Sequence, residues 1–168
     1  ASVEYQDGRT TGIVRQSGTM MYDYPRHLSS GVGKYVSRLT VGNGAGGDRS
    51  WRYAYQDPAI DVKGRGSLGF AQMTVTDEQL LHVTTNTYAQ IWPLTGSVLS
   101  TTVEAANGVM LSNTQNRMAE IKIAQANGKQ TSFVALLGNS VARRDLSGDD
   151  LGTTVTSGAV GVADVQYD

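Results

Sequence analysis

The sequence predicts an all-β protein, and three observations lead to that prediction. Apolar and polar residues alternate with period two along most of the chain, which is the pattern of half-buried strands. Glycine is frequent, at 20 of 168 residues, and only 17% of the residues are charged, against roughly 25% in typical soluble domains. No window sustains the 3.6-residue period of an amphipathic helix.

The alternating segments, taken in order, predict a series of short strands separated by turns. The predicted strands are residues 3–5, 12–15, 34–41, 50–55, 70–76, 82–88, 97–103, 109–113, 118–124, 131–137 and 162–167. Asn107-Gly108 and Asn127-Gly128 predict tight reversals, because both residues tolerate the positive φ that such turns need. Residues 42–48 predict a long, mobile hairpin tip, residues 57–63 a proline-containing loop, and residues 145–161 a further loop. We therefore expect stacked antiparallel hairpins in a single β-rich segment, residues 1–168.

Composition and charge exclude several classes of protein. The longest apolar runs have four or five residues, far short of the ~20 that a membrane helix needs, so no membrane span is predicted. The formal net charge of −1 gives no electrostatic reason to expect nucleic acid as a partner. The chain has no cysteine, which excludes disulfides and thiolate metal sites. Residues 1–20 lack a signal peptide, and the missing initial Met leaves a mature product and an excised fragment as alternatives.

A glycine-rich motif in the middle of the chain matches the dinucleotide-binding fingerprint G-x-G-x-x-G letter for letter: Gly64-Arg65-Gly66-Ser67-Leu68-Gly69. That fingerprint requires a buried strand before it and a helix after it. Here a proline-containing segment precedes the motif, and a strand-like run begins at Phe70. We therefore predict that Gly64, Gly66 and Gly69 bend a sheet and that Phe70 closes over the bend, with no cofactor bound.

Two further motifs imitate catalytic or metal sites. Gly138-Asn139-Ser140 resembles the nucleophile elbow of hydrolases, and only His27 or His82 could act as its base; a serine in a turn is the preferred interpretation. Neither histidine has a partner at metal-ligand spacing. Asp145, Asp149 and Asp150 match a calcium loop in composition but not in register, so calcium there stays open. The sequence predicts no metal site and no enzyme.

Aromatic residues alternate along one predicted strand, where Trp51, Tyr53 and Tyr55 share a face. Exposed and rimmed by polar groups, they would form a binding face for sugars; buried, they would pack within the sheet, as strand aromatics commonly do. Packing is the preferred interpretation. The binding face defines the alternative function, a β-sandwich-like module that recognises glycans or a cell surface.

Residues 22–90 carry a succession of motifs that resembles a known family. In order, these are Tyr24-Pro25, Val36-Ser37-Arg38-Leu39-Thr40-Val41-Gly42-Asn43-Gly44, Trp51-Arg52-Tyr53-Ala54-Tyr55, Asp61 to Phe70, and Val75-Thr76-Asp77. The succession resembles the middle region of the Rhs/YD-repeat toxin shells, in particular the B component of insecticidal toxin complexes and the SpvB-type virulence proteins. The most specific part is Y-x-Y, then G-R-G-x-L-G-F, then V-T-D. Residues 91–168 continue the hairpin rhythm without a nameable motif.

The resemblance implies a structural role. In that family, hairpins stack into a strip that spirals into a hollow cocoon around a toxic polypeptide. The implied partners are the remainder of the shell, the enclosed toxin, and other toxin-complex or secretion components; the implied location is outside a bacterium, after secretion. The family's self-cleaving aspartyl site and toxic domain have no counterpart in this sequence, so no catalytic residue is implied. We therefore expect a non-catalytic segment of a curved β-sheet shell.

Overall fold

The computed structural model describes residues 1–9, 12–18, 23–125 and 128–158, and within these ranges the chain is all-β. The strands are β1 (Ser2–Asp7), β2 (Val14–Arg15), β3 (Arg26–Leu28), β4 (Lys34–Gly42), β5 (Asp48–Asp61), β6 (Gly66–Asp77), β7 (Val83–Tyr88), β8 (Val98–Glu104), β9 (Met110–Ala124), β10 (Gln130–Arg144) and β11 (Asp150–Ser157). Among the described residues, no helix is long and apolar enough to cross a membrane.

The eleven described strands form one sheet in the order β1-β4-β5-β6-β7-β8-β9-β10-β11, with β2 and β3 paired to β5. All pairs are antiparallel except that between the two-residue β2 and β5. From β5 onward each strand pairs with the strand before it in the chain, β4 pairs with β1 on its other side, and β1 and β11 form the two edges of the open sheet. The predicted all-β, antiparallel hairpin architecture is confirmed.

The connections after β8, β9 and β10 share one turn geometry. In each, the amide of the first residue donates to the carbonyl four residues further on, and the fourth residue is a glycine with positive φ. After β8 and β10 this is the pattern of the three-residue hairpin loop in which a type I turn is followed by a left-handed glycine bulge. The closing pairs are Ala105 and Val109, Gln125 and Lys129, and Asp145 and Asp149, with N–O distances of 2.9, 2.8 and 3.0 Å. The glycines are Gly108, Gly128 and Gly148, at φ of 79°, 76° and 96°.

Two predicted reversals therefore have different outcomes. The turn at Asn107-Gly108 is confirmed, and Asn107 Oδ1 accepts a hydrogen bond from the Val109 amide at 3.1 Å. For the second turn, Gly128 occupies the predicted position, but Asn127 lies outside the described residues.

Several predicted loops proved to be strand. Residues 57–61 lie in β5, the 138–140 segment lies within β10, and residues 150–157 form the edge strand β11. The predicted strands 109–113 and 118–124 belong to one continuous strand, β9 (Met110–Ala124), which begins directly after Val109. The predicted strand at residues 162–167 lies outside the described residues.

The structure supplies the reason why β5 continues through a proline. Asp57 has a φ of +51°, and Pro58 has no amide to donate to a neighbouring strand. The Asp57 carbonyl instead accepts a hydrogen bond from Gln90 Nε2 at 2.8 Å, and the Pro58 carbonyl accepts one from the Ser29 amide at 2.6 Å. The irregular stretch therefore leaves these two carbonyls paired, and the strand resumes after it.

The predicted long tip at residues 42–48 is shorter in the structure. Asn43 closes it, because its amide donates to the Gly47 carbonyl at 2.8 Å. Its side-chain Oδ1 accepts from the amides of Ala45 and Gly47 at 2.9 and 3.0 Å. The connection between β4 and β5 is thus a compact turn of residues 43–47.

The sheet forms a single layer, and little of it is buried. Strands contact their neighbours in sheet order. The buried hydrophobic residues among those described are Ile13, Ala59, Leu68, Ala89 and Ala105, and no large side chain in these ranges is fully buried. Most domains bury a sheet face against a second layer. Here both faces of the sheet lack such a layer within the described part of the chain.

Candidate functional site

The glycine-rich motif forms a hairpin turn followed by a β-bulge. Gly64 lies in the turn between β5 and β6, and Gly66 begins β6. The pairing register shifts between Ala59 and Ile60, whose partners are Gly69 and Ser67. Leu68 is therefore the extra residue of the bulge, a feature that bends a strand and increases its twist. A strand rather than a helix follows the motif, so the geometry is not that of a dinucleotide site.

Phe70 packs into an aromatic cluster beside this bulge. Its ring centroid lies 5.3 Å from that of Tyr35 and 4.8 Å from that of Tyr55, and the two tyrosine rings are 5.6 Å apart. The Tyr55 hydroxyl donates to the Val36 carbonyl at 3.0 Å. Burial, with a smaller contribution from Tyr53, raises the pKa of Tyr55. The cluster joins β4, β5 and β6, so Tyr55 acts in sheet packing.

The proposed aromatic face on β5 is not an open platform. Trp51 is half-buried and pairs across the sheet with Leu39 and Asp77. The Arg49 guanidinium lies 5.1 Å from the centre of its ring. Tyr53 is also half-buried and pairs with Val75. Trp51, Tyr53 and Tyr55 are thus all partly covered within the sheet.

Charged residues in the motif segments and directly beside them bind one another at the end of β6. Asp77 Oδ2 accepts from Arg49 Nη2 at 2.5 Å, and its Oδ1 accepts from the amides of Gln79 and Leu80 at 3.0 Å each. The hydrogen bond from the Leu80 amide and then that from Arg49 are the main causes that lower the pKa of Asp77 to about 2. The V-T-D segment thus ties the β6–β7 turn to the start of β5.

Glu78 makes a second such contact. Burial opposes its ionisation, but hydrogen bonds from Arg52 and Arg38 outweigh this and lower its pKa. The Arg38 Nη2 to Glu78 Oε2 distance is 2.7 Å, and Arg52 Nε donates to Oε1. Both arginines come from motif segments of the sequence, so the motif residues have structural partners.

The structure separates Ser140 from both histidines. Cross-strand pairing connects Ser140 through Gln115 and Ser100 to Thr87 on β7, five residues from His82. Three strand spacings and five residues along a strand put the two Cα atoms roughly 20 Å apart along the sheet. His27 pairs with β5, five strand spacings or about 24 Å from β10 along the sheet. A proton transfer between Ser140 and either histidine is out of reach, and the predicted turn serine lies in mid-strand instead.

The aspartates of the β10–β11 turn act as turn residues. Asp145 Oδ1 accepts hydrogen bonds from the amides of Ser147 and Asp149, both at 2.9 Å, and from the Ser147 hydroxyl at 2.6 Å. The Ser147 hydroxyl leads the causes that lower the pKa of Asp145, and Asp150 Oδ1 accepts from the Gly152 amide. Among the described residues, no three His, Cys, Asp or Glu side chains are grouped so that they could hold a metal ion.

Two adjacent rows on one face of the central sheet carry only uncharged and mostly hydrophilic side chains. Partners across a sheet share a face, as do residues two apart on a strand. Two adjacent rows cross β6 to β10, and all ten side chains are neutral. The rows are Gln72, Thr87, Ser100, Gln115 and Ser140, and Thr74, Thr85, Thr102, Asn113 and Ala142. We call this surface the neutral face; its residues are half-exposed or exposed.

A cleft at the β5–β6 hairpin has features that the sequence analysis did not predict. We call it the Tyr24–Trp92 cleft, after two aromatic residues that line it and are 68% and 60% exposed. Its volume is about 220 Å³. Each ring has a cation over it, Lys63 Nζ 5.0 Å from the centre of Tyr24 and Arg65 Cζ 5.5 Å from that of Trp92. The two aromatic residues are far apart in the sequence, and the shared signal is that each precedes a proline.

Comparisons of the chain with protein-family models, with curated proteins and with solved structures gave no match.

Proposed function

We propose that the chain is a wall segment of a Rhs/toxin-complex-type shell that encloses a toxic polypeptide and helps to deliver it. The observation that carries the proposal is the open sheet of hairpins, a single layer with two edges. A sheet of this kind becomes a stable wall when further strands continue it and a content or a second layer covers one face. The proposed partners are the remainder of the shell and the enclosed polypeptide.

The neutral face supports this role. A lining must enclose its content without binding it tightly, and neutral hydroxyl and amide groups offer neither the charges that anchor an oppositely charged chain nor a large apolar patch. The bulge at Leu68 also fits the curved wall of such a shell, because a closed surface needs bulges and glycines where it bends. The role is structural and requires no catalytic residue, and the location is outside a bacterium after secretion.

The alternative of a β-sandwich-like glycan module receives less support. A sandwich needs two packed sheets, whereas the described residues form one. Trp51, Tyr53 and Tyr55, the aromatic face offered for sugars, are all half-buried, and the ring of Tyr55 packs against those of Tyr35 and Phe70.

The direct test is electron microscopy of the assembly that contains this chain together with its shell. We expect a hollow particle, and a polypeptide inside it that survives a protease which digests the same polypeptide when free. A solid particle, or a content digested at the rate of the free polypeptide, would contradict the proposal.

The edge strand allows a test on the chain itself. Val155 on β11 is 72% exposed, and a lysine on an edge strand opposes pairing with a further strand. We expect Val155→Lys to reduce association with the rest of the shell, measured by sedimentation velocity. Leu146→Lys, at a 63% exposed turn position, is the matched control and should leave association unchanged; equal effects of the two variants would count against edge pairing.

A further inference from the structure

We propose that the Tyr24–Trp92 cleft binds a single acidic sugar unit. This goes beyond the proposed shell role and does not rest on it, because a wall segment needs no ligand. Two exposed aromatic rings side by side with charged groups are unusual for a solvated surface, since large aromatic side chains are normally covered.

The size of the cleft favours a small ligand. At about 220 Å³ it is smaller than the roughly 300–1,000 Å³ of sites that hold drug-sized molecules. That volume suits one ring rather than an extended chain. Ile91, 56% exposed, also lines the cleft and adds apolar surface beside Trp92.

Charge favours an anion. Arg26, Lys63 and Arg65 line the cleft together with two carboxylates, Asp23 and Asp61. The Asp61 carboxylate is already engaged, because it accepts from the Lys63 amide at 2.7 Å and pairs with Arg65 Nη1 at 3.3 Å. Of the remaining charged residues in the lining, Arg26 and Lys63 are positive and Asp23 is negative, which leaves a surplus of one positive charge for a ligand carboxylate.

Hydrogen-bonding groups favour a sugar over other small anions. Gln90 lines the cleft, is 4% exposed, and donates from Nε2 to the carbonyls of Asp57 and Gly69 at 2.8 and 3.0 Å. These two acceptors fix the orientation of the amide. Gln90 Oε1 is buried at the wall of the cleft and has no donor within the described part of the chain, so it would be satisfied by a hydroxyl that enters beside it. A ligand that carries hydroxyl donors, a carboxylate and an apolar ring face matches this set, and an acidic pyranose has all three.

The test is saturation-transfer NMR on the whole chain with glucuronate and N-acetylneuraminate as acidic sugars, glucose as a neutral sugar, and an acidic tetrapeptide. We expect the acidic sugars to bind with a Kd of about 1 mM, the range expected for so small a ligand, and glucose to bind more weakly. Binding should weaken with added salt, because exposed charges are screened.

Variants locate the site. Trp92→Ala should weaken binding about tenfold or more, as loss of a central aromatic anchor does, and Lys63→Met should remove the preference for acidic over neutral sugar. Leu146→Ala and Lys34→Met, at exposed positions outside the cleft, should bind like the parent chain. Far-UV circular dichroism confirms that each variant is folded, and Lys63→Met keeps the test open if Trp92→Ala unfolds.

Three outcomes would overturn the proposal: no sugar binds, sugar binding is unchanged in both cleft variants, or the tetrapeptide binds in the cleft while the sugars do not. None of these bears on whether the shell assembly is hollow, so failure here and failure of the proposed function are distinguishable.

Discussion

Truncation of Leu68 tests the idea that the bulge in β6 rests on a buried side chain. Leu68 is the extra residue of the bulge and is 3% exposed. Leu68→Ala removes three carbons, which at about 0.8 kcal/mol each corresponds to about 2.4 kcal/mol of lost burial. Sealed cores lose up to about 5 kcal/mol in such substitutions because a cavity remains.

The site around Leu68 is not sealed. The side chain lines the Tyr24–Trp92 cleft on one side and a second cleft of about 220 Å³, beside Phe70 and Met73, on the other. Water can enter the vacated space, so the cavity penalty is small. We therefore expect a loss of about 2–3 kcal/mol in the free energy of unfolding.

Urea unfolding followed by circular dichroism measures this loss, provided that the slope with urea concentration is the same in both proteins. Leu146→Ala, at a 63% exposed position, is the control and should change stability by less than about 0.5 kcal/mol. A loss below about 1 kcal/mol would refute the view that Leu68 anchors the bulge, and one above about 4 kcal/mol would mean a sealed site.

Two further predictions concern the turns. Gly148→Ala should destabilise the chain by about 1–2 kcal/mol because φ there is +96°. The control Gly42→Ala should be nearly neutral, because an added Cβ meets only Asp48 Oδ1 at 3.8 Å. Equal urea midpoints for the two variants would contradict the turn geometry. The depressed pKa of Asp77, about 2 against 3.8, contributes stability that is present above about pH 4 and lost as the pH falls toward 2. Asp77→Asn should lack that loss, as measured by urea midpoints across this range, and an unchanged acid dependence would count against the Asp77 contacts.

The turns show how much of the fold local sequence signals can predict. Asn107-Gly108 was predicted because an Asn-Gly pair between alternating segments is a strong local signal. The connection of residues 145–149 has the same hydrogen bonds and lies 40 residues after that of 105–109, but Ser147-Gly148 replaces the Asn-Gly pair. Its composition therefore predicted a loop, and β11 was missed. The regular spacing of the turns was a signal that could have found it.

The predicted strand 50–55 ended earlier than the observed β5 for a related reason. Pro58 argues against a strand when only sequence neighbours are considered. Its acceptability depends on Gln90, whose amide donates to the Asp57 carbonyl, and no local pattern in residues 50–61 contains that information.

The aromatic residues show how little of the candidate site could be predicted from the sequence. Alternation correctly predicts that Trp51, Tyr53 and Tyr55 share a face, but not that Arg49 and Tyr35 cover two of their rings. Tyr24 and Trp92, which do stay exposed, line one cleft because β3 and the β6 bulge flank the same end of β5 and the β7–β8 connection is tied to that bulge through Gln90. Contacts between residues that far apart in the chain depend on sheet order and register.

Local sequence patterns were enough to predict an all-β protein built of antiparallel hairpins, since strand alternation and glycine turns act over a few residues. The ends of the strands, the aromatic side chains that stay exposed and the distance of Ser140 from both histidines became known from the folded sheet. These depend on register, which adds up over many strands: a shift of one residue at a bulge such as Leu68 moves every later side chain to a new neighbour.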